Sequence, residues 1–160
     1  MLQRATTDDI PVIRDLAHAI WWAHYPSIIP EAQIEYMLNL MYSPEALHRQ
    51  MTEEGIQFWL VQEIGNTVGF IAVGHPTEGA YFLHKFYLQP SGQGKGLGAA
   101  AFHTLLEHYP DLSEIRLTVN RQNYKSINFY FKIGFRIEQC LEIPIGQGFA
   151  MNDFLMVWRR

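Results

Sequence analysis

A glycine-rich segment at the junction of a strand pattern and a helix pattern constrains this chain more than any other feature. Residues 93–100 have the sequence Gln-Gly-Lys-Gly-Leu-Gly-Ala-Ala, and they lie between the apolar strand pattern of residues 81–88 and the apolar helix pattern of residues 97–108. Because glycine has no Cβ, backbone N–H groups at such a junction can come close to an anion, and the helix dipole adds positive charge there. The segment therefore predicts a cradle for a phosphate group.

Two common phosphate cradles fit this segment poorly. A P-loop has a glycine before its Gly-Lys-Ser/Thr end, but Gln89 stands at that position here and Gly96 stands where Ser or Thr is needed. A dinucleotide fingerprint, G-x-G-x-x-A, matches residues 94–99, but it requires an acidic residue about 20 positions further on and a doubly wound sheet. The next strand pattern ends in Asn120-Arg121, and the remaining chain is too short to complete such a sheet. A nicotinamide-dependent enzyme is therefore a disfavoured alternative.

The third cradle has the pattern Q/R-x-x-G-x-G/A, which residues 93–98 match. A second motif follows in residues 120–135, where a strand pattern leads into a helix pattern that ends in Phe-Tyr-x-x-x-Gly-Phe. With both motifs in this order, the chain resembles the GNAT family of N-acetyltransferases, and the resemblance extends over the whole chain. It implies one N-acetyltransferase-like domain over residues 1–160, with an α/β fold whose central sheet is mixed, mostly antiparallel and flanked by helices. It also implies acetyl-CoA as the co-substrate and no metal.

Composition argues against several other classes of protein. A chain of 160 residues is long enough for one hydrophobic core, and its 48% hydrophobic content is typical of a globular protein. The net charge of −4, with no basic run longer than Arg159-Arg160, argues against nucleic acid as a partner. The apolar runs are too short to cross a bilayer, so no membrane partner is expected. A single cysteine, Cys140, and a beginning without the pattern of a signal peptide predict a cytoplasmic location.

The spacing of apolar residues and breakers predicts the element order β-α-α-α-β-β-β-α-β-α-β-β. Thr7 is the candidate N-cap of the first helix, Pro30-Glu31 opens the second, and Ser43-Pro44 opens the third. The strands are expected at residues 2–5, 57–64, 68–74, 81–88, 114–120, 135–143 and 149–158, and the later helices at residues 97–109 and 124–133.

The resemblance implies which residues hold the acetyl donor. Backbone amides of the glycine-rich segment would bind the pyrophosphate, Lys95 would add charge at the rim, and residues 86–88 would hydrogen-bond the pantetheine arm. Asn123 resembles an asparagine of the family that contacts the cofactor, although an asparagine at a helix start is equally expected to cap the helix. The alternative for the segment itself is a turn that only links a strand to a helix. The predicted cofactor-binding residues are Phe86, Tyr87, Leu88, Gln93, Gly94, Lys95, Gly96, Leu97, Gly98 and Asn123.

Acetyl transfer from a thioester to an amine needs an acid that protonates the leaving thiolate. The resemblance places the tyrosine of the Phe-Tyr pair, Tyr130, beside the sulfur, where its phenol can supply that proton. The alternative is a tyrosine that only fills the core. Tyr130 is therefore the predicted catalytic acid.

The same reaction needs a base that deprotonates the amine. The glutamate that family members often carry on the strand before the loop is absent from residues 81–88. Strict alternation places Phe82, His84 and Phe86 on one face of this strand and Lys85 on the other. An imidazole suits a base near neutral pH, so His84 is the predicted base. A water relay and a purely structural histidine are the alternatives.

The resemblance places the acceptor between the region of the first two helices and the last hairpin. That helical region is unusually aromatic, and aromatic faces attract ammonium groups. Glutamates at the start of the second helix would add negative charge. The predicted substrate-binding residues are Trp21, Trp22, Tyr25 and Glu31. Core packing of the tryptophans and a solvated position of the glutamate are the alternatives.

These residues and the resemblance predict an enzyme that moves acetyl from acetyl-CoA to a primary amine by direct attack in a ternary complex. The sequence Leu-His-Lys-Phe-Tyr-Leu before the loop resembles that of polyamine acetyltransferases of the family, which implies a small-molecule amine acceptor of the polyamine kind. A peptide N-terminus, an amino acid and an aminoglycoside are the other acceptors that the resemblance allows. The alternative is a catalytically silent acyl-CoA-binding sensor or partner subunit, which the missing glutamate favours and Tyr130 disfavours. Homodimers are frequent in the family, so a homodimer through the last hairpin is also expected.

Overall fold

The computed structural model describes residues 1–160, and one mixed sheet of seven strands runs through the molecule. The strands are β1 (Leu2–Arg4), β2 (Gln57–Glu63), β3 (Asn66–Thr77), β4 (Ala80–Leu88), β5 (Glu114–Asn120), β6 (Arg136–Gly146) and β7 (Phe149–Arg159). They lie in the order β1-β2-β3-β4-β5-β7-β6, and every neighbouring pair is antiparallel except β4 and β5. The predicted α/β fold with a mixed, mostly antiparallel sheet is confirmed.

Five α-helices flank the sheet, in the order that the sequence predicts. They are α1 (Ile10–His24), α2 (Glu31–Tyr42), α3 (Pro44–Thr52), α4 (Leu97–His108) and α5 (Tyr124–Ile133). Ser43 caps α3 as expected, because its Oγ accepts the Ala46 N–H at 3.2 Å. The predicted Thr7 cap of the first helix is wrong. Thr6 and Asp9 form the reciprocal capping box of a short 3-10 turn, Thr7–Asp9, that leads into α1, and Asp9 then occupies the N-cap position of α1 without capping it through its side chain.

Each face of the sheet carries its own hydrophobic core. The first core lies under α4 and α5 and includes Phe102, and the second lies under α1, α2 and α3 and includes Ile34. β3 contributes Ile71 to the first core and Phe70 to the second, as the alternation of side chains along a strand requires. No helix combines the length and the apolar character that crossing a membrane would need.

β4 and β5 begin as paired neighbours and then separate. Their parallel pairing joins only residues 80–82 to residues 114–116, although β4 continues to Leu88 and β5 to Asn120. β3 and β7 hold the outer sides of these two strands. Beyond Phe82, the facing edges of β4 and β5 therefore lack a partner strand, and backbone groups that point into this opening can bind a ligand, apart from the Leu88 carbonyl, which accepts a hydrogen bond from a side chain. We call this opening in the sheet the wedge.

A β-bulge in β4 changes the predicted arrangement of side chains on this strand. Two consecutive residues of β3 pair with Lys85 and Leu83, so His84 between them is an extra residue. As a result, Leu83 and Phe86 both pack against the first core. The expectation that Phe86 shares a face with His84 and that Lys85 points to the opposite one is therefore wrong. Lys85 and His84 both lie on the side of the second core, where the His84 ring packs over the Cα of Gly74.

Replacing Phe102 by alanine is expected to lower the free energy of unfolding by about 3–5 kcal/mol, because the change leaves a cavity under α4. The ring of Phe102 is 1% exposed. Phe131→Ala is the matched control, since it removes the same ring from a position on α5 that is 39% exposed, and it should cost much less. Urea unfolding of both variants measures the difference. Equal losses would contradict this description of the first core.

Candidate functional site

The glycine-rich loop presents a row of unpaired backbone donors. Gly94 and Gly96 have φ angles of 78° and 74°, a left-handed conformation that glycine adopts without strain. The N–H groups from Gly94 to Ala99 donate to no acceptor in the chain, and the Ala100 N–H donates to the Gly96 carbonyl at 3.0 Å. These free donors coincide with the positive end of the α4 dipole. The loop can therefore bind a phosphate or pyrophosphate group.

The side chain of Gln93 fixes this loop to two other elements. Its Nε2 donates to the Leu88 carbonyl at 2.8 Å, which ties the loop to the end of β4. Its Oε1 accepts from the Lys125 ammonium group, which ties the loop to α5. The first position of the Q-x-x-G-x-G pattern thus positions the loop through its side chain.

A groove of about 270 Å³ extends from the loop along the end of β4 to α5. Three of the predicted cofactor-binding residues lie elsewhere: Leu97 packs in the first core, Lys95 is exposed outside the groove, and Asn123 lines a second cavity. The other predicted residues line the groove, namely Phe86, Tyr87, Leu88, Gln93, Gly94, Gly96 and Gly98.

One face of α5 forms a wall of the groove that the sequence interpretation misses. Lys125, Phe129 and Lys132 all line the groove, and their spacing of four and three residues places them on one helix face. This spacing is the signal that could identify them. A Cβ at Gly98 would lie 3.0 Å from the Phe129 ring, so glycine there lets α4 approach α5. The two lysines add positive charge to a groove that already offers free N–H groups to an anion.

A second cavity, of about 100 Å³, lies in the wedge. Tyr130 lines both this wedge cavity and the groove, so it stands where the two spaces meet. Its side chain is 9% exposed. Burial, and to a smaller extent the neighbouring Tyr25, raise the pKa of Tyr130 above its ordinary value. The phenol therefore stays protonated at neutral pH and is always available as a donor.

Aromatic rings form one wall of the wedge cavity. Trp21 packs against three tyrosines, with ring centroids 4.4 Å from Tyr25, 5.8 Å from Tyr42 and 6.0 Å from Tyr87. Burial raises the pKa of all three tyrosines, so their hydroxyl groups are neutral. Aromatic faces of this kind attract a cation.

The structure brings only part of the predicted acceptor site together. Trp21 and Tyr25 line the wedge cavity, whereas Trp22 and Glu31 line neither the cavity nor the groove. Successive residues of an α-helix point about 100° apart, so Trp22 is turned toward solvent when Trp21 faces the core. Glu31 is exposed at the first position of α2.

His84 lines the wedge cavity in surroundings that oppose its protonation. A Cβ at Gly74 would lie 2.6 Å from its Nε2, and the ring centroids of His84 and Phe82 are 4.8 Å apart. Partial burial of the ring, followed by the charge of Lys85, lowers the pKa of His84 to about 4, although the residue as a whole is exposed. The imidazole is therefore neutral at pH 7 and has a lone pair, but it holds a proton weakly.

Asn123 joins the start of α5 to α1. Its Oδ1 accepts the Ser126 N–H at 3.4 Å, which is the capping role that the sequence allows. The same oxygen lies 2.9 Å from the Nε2 of His24, which lines the groove. Asn123 itself lines the wedge cavity, so any contact with a cofactor would be made from that side.

Asp153, on β7, is a residue of the wedge cavity that the sequence interpretation misses. It is 2% exposed, and the pairing of β5 with β7 places it opposite Asn120. Burial raises its pKa to about 6, against smaller opposing effects of the Thr118 hydroxyl and the Arg121 charge. An acidic residue within the apolar pattern of β7 is the signal that could identify it. No three His, Cys, Asp or Glu side chains anywhere in the chain are arranged to hold a metal ion.

Lys85 is a second buried charge at the wedge cavity. Its side chain is 7% exposed, and its ammonium group lies 5.0 Å from the centroid of the Tyr42 ring and 5.7 Å from that of Phe58. Burial lowers the pKa of Lys85 to about 8, against a smaller opposing effect of Glu54. The cavity therefore has a cationic group on β4 and an anionic group on β7, and they form no ion pair with each other.

Comparisons with known proteins agree with this geometry. The family model of the acetyltransferase (GNAT) domain matches residues 28–140. An uncharacterized N-acetyltransferase of Mycobacterium tuberculosis is 28% identical over 134 residues, which cover 82% of this chain and 85% of the relative. A spermidine N(1)-acetyltransferase of Thermoplasma acidophilum is 27% identical over 146 residues, which cover 86% of this chain and 88% of the relative.

Solved structures share the whole fold. The PaiA N-acetyltransferase of Thermoplasma acidophilum, in complex with coenzyme A, has a TM-score of 0.81 at 25% identity, with 100% of this chain and 98% of that chain covered. An acetyltransferase of Thermus thermophilus has a TM-score of 0.74 at 16% identity, with 100% and 97% of the two chains covered. The second likeness supports the fold alone.

The raised pKa of Asp153 predicts a cost in stability that depends on pH. Its pKa rises from 3.8 to about 6 on folding, so ionisation penalises the folded state as pH rises from about 4 through about 6. Asp153→Asn removes this penalty and is expected to raise the free energy of unfolding near pH 8 by an amount on the order of 2 kcal/mol. Near pH 4 the change should have little effect.

Urea unfolding at the two pH values measures this difference. Glu142→Gln is the matched control, because it removes an equal charge from the exposed side of the same hairpin, where Glu142 lies 3.6 Å from Arg121. An Asp153→Asn protein that is less stable than the wild type near pH 8 would contradict the prediction.

Proposed function

Because this chain belongs to the GNAT family of N-acetyltransferases, we propose that it transfers the acetyl group of acetyl-CoA to a primary amine by direct attack in a ternary complex. One observation carries the proposal: a groove with a phosphate cradle and a smaller aromatic cavity open onto the same residue, Tyr130. A donor in the groove and an amine in the wedge cavity would meet at this point. Holding both reactants together removes the need for a covalent enzyme intermediate.

The groove suits the phosphates and the pantetheine arm of the donor. The unpaired N–H groups from Gly94 to Ala99 would bind the pyrophosphate. Lys125 and Lys132 would add positive charge along the same groove. The free edge of β4 at residues 86–88 would hydrogen-bond the amide groups of the pantetheine arm, as an added strand does. The similar PaiA N-acetyltransferase was solved in complex with coenzyme A, which supports this donor.

In the proposed reaction the amine nitrogen attacks the thioester carbon, and the C–S bond then breaks. The N–H of Tyr87 or Leu88 would polarise the carbonyl oxygen while it carries negative charge. Tyr130 would donate a hydrogen bond and then its proton to the departing sulfur, and it would regain a proton from the amine nitrogen through water. An alkylammonium ion and acetyl-CoA thereby give the N-acetyl amide, the thiol of coenzyme A and a proton released to solvent.

The amine must lose a proton before it attacks. His84 is the proposed group that first accepts this proton, because its neutral imidazole lines the wedge cavity. A relay through water is the alternative. The low pKa of His84 makes its imidazole a weak base at neutral pH, so a proton that it accepts must pass onward to water or to a stronger acceptor.

The proposed acceptor is a small amine, with polyamines as the favoured class. The aromatic wall formed by Trp21 and Tyr25 is suited to an ammonium group. The likeness to a spermidine N(1)-acetyltransferase supports the same class. α2 is fastened to the last hairpin, because the Gln33 Nε2 donates to the Ala150 carbonyl at 3.2 Å and the Tyr36 hydroxyl donates to the Ile145 carbonyl at 2.6 Å. These contacts give the wedge cavity a fixed roof for a small ligand.

Two other expectations are part of the proposal. A homodimer would use the last hairpin, where β6 is an edge strand of the sheet with mostly exposed side chains. A cytoplasmic location is consistent with a single free cysteine, Cys140.

Tyr130→Phe is expected to lower kcat at least about 100-fold, because the variant retains the ring and loses the proton donor. The dissociation constant of acetyl-CoA should stay within about twofold, since the ring still lines the groove. Steady-state turnover with a panel of primary amines and calorimetric titration with acetyl-CoA measure the two effects. A catalytically silent acyl-CoA sensor would bind acetyl-CoA without any turnover in the wild type. A Tyr130→Phe enzyme with full turnover would contradict the assigned role.

Lys132→Gln is expected to weaken acetyl-CoA binding by about threefold to fivefold, because Lys132 lines the groove and its charge acts on phosphate through partly exposed surroundings. The matched control is Lys95→Gln, which removes an equal charge from the loop at a position outside the groove and should have the smaller effect. Calorimetric titrations at low and high salt measure both, and the difference should shrink with salt. A larger effect of Lys95→Gln would instead favour the rim role that the sequence suggests.

NADPH serves as the control ligand for the nicotinamide-dependent alternative, and the wild-type protein should not bind it.

A further inference from the structure

Building on the proposed function, we infer that Asp153 binds the ammonium group of the acceptor and is the final recipient of the proton that the amine loses before it attacks. The acceptor then enters the wedge cavity as an alkylammonium ion, with its charged nitrogen against the Asp153 carboxylate. Three features of the structure support this assignment: the burial of the carboxylate, its lack of an ion-pair partner, and its position in the cavity.

Asp153 is a buried carboxylate without a counter-ion. Asp153 is 2% exposed, and no Lys, Arg or His nitrogen lies within 4.0 Å of its carboxylate oxygens. Arg121 acts on it only from a distance and is directed to Glu142, at 3.6 Å. The Thr118 hydroxyl offsets only part of the cost of burial, because a buried charge that loses its hydration and gains no opposite charge remains costly. A cationic ligand would supply the missing partner.

Asp153 is also the only acidic residue that lines the wedge cavity. The other titratable or charged groups at the cavity come from α2, β4 and α5 and from the segments that follow α1 and β5; they are Tyr25, Tyr42, His84, Lys85, Tyr87, Arg121 and Tyr130. All four tyrosines and His84 are neutral at pH 7. Lys85 is held over the rings of Tyr42 and Phe58. The negative charge that attracts an amine into this cavity is therefore that of Asp153.

The position of Asp153 suits the reacting nitrogen. It lies opposite Asn120, at the end of β5 farthest from the pairing of β5 with β4. Tyr130, which stands at the junction with the groove, lines the same cavity. The thiolate would thus be protonated on the groove side of the amine, and the amine would lose its own proton on the β7 side.

The rest of the lining indicates an alkyl chain next to the ammonium group. Three methionines, Met37, Met41 and Met151, line the cavity together with Ile29. Methionine side chains are flexible and adapt to an unbranched methylene chain. Trp21 and Tyr25 add aromatic faces for the cation. The structure thus assigns the acceptor to the primary alkylamines.

The proton-transfer step balances without an added reactant. An N–H bond of the alkylammonium ion breaks, its electron pair stays on nitrogen, and an O–H bond forms on Asp153, directly or through His84 or water. The neutral amine then attacks the thioester carbon, and Asp153 releases the proton to solvent when the products leave.

The test compares Asp153→Asn with the wild type on two acceptors near pH 7.5. Butylamine is an alkylammonium ion at this pH, and 2,2,2-trifluoroethylamine is already largely neutral. Asp153→Asn is expected to lower kcat/KM for butylamine at least about 100-fold and to change it far less for the fluorinated amine. The dissociation constant of acetyl-CoA, measured by calorimetry, should not change. Glu142→Gln is the matched control and should behave as the wild type with both amines.

Three outcomes would overturn the inference. In the first, Asp153→Asn retains full activity with butylamine. In the second, Asp153→Asn loses activity equally with both amines. In the third, His84→Asn loses more activity with butylamine than with the fluorinated amine, and Asp153→Asn does not. Failure of the proposed function itself would look different, since the wild type would then acetylate neither amine. In that case calorimetric binding of butylamine, in the presence of coenzyme A, to the wild type and not to Asp153→Asn would still support Asp153 as the ammonium site. Equal binding to both would overturn it.

Discussion

The site depends on the early end of the pairing between β4 and β5. A sheet normally satisfies the N–H and C=O groups of every inner strand, and each buried group that is left unpaired costs free energy. Here the pairing stops at Phe82 while both strands continue. The loop that follows β4 contains the glycine-rich segment, and the helix that follows β5 contains Tyr130. Because the two strands point the same way, both sequence motifs arrive at the same opening, and free backbone groups are already there.

Two unpaired charges of opposite sign face this opening, and each is displaced toward its neutral form. Burial brings the pKa of Asp153 up to about 6 and that of Lys85 down to about 8. A direct ion pair between them would lower the electrostatic cost but would also neutralise the carboxylate that can attract an amine. The rings of Tyr42 and Phe58 hold the lysine instead. Stability is thus lower than an apolar cavity would allow, and the ability to bind a cation is the gain.

Features that depend on neighbours in the sequence could be predicted, and features that depend on strand pairing could not. Glycine at positions 94 and 96 indicates the loop geometry directly, and the spacing of apolar residues gives the bounds of β5 and α5. The bulge at His84 cannot be predicted from alternating side chains, because it arises from the register of β4 against β3. Asp153 joins the site only because β7 inserts between β5 and β6, a strand order that no local pattern specifies. The aromatic run in the sequence is a local feature, and it indicates Trp21 and Tyr25. The exposure of Trp22 depends on which side of α1 packs against the sheet, and the run of aromatic residues does not specify that side.

The shared lining of the two cavities links donor and acceptor under the proposed function. Phe86, Tyr87 and Tyr130 belong to both the groove and the wedge cavity, so the two spaces adjoin along these residues. A pantetheine arm along β4 would close that side and exclude water from it. Attraction between an ammonium ion and the Asp153 carboxylate strengthens as the local dielectric constant falls. The acceptor would therefore bind more tightly after the donor, and by the reciprocity of linked equilibria the donor would bind more tightly in the presence of the amine.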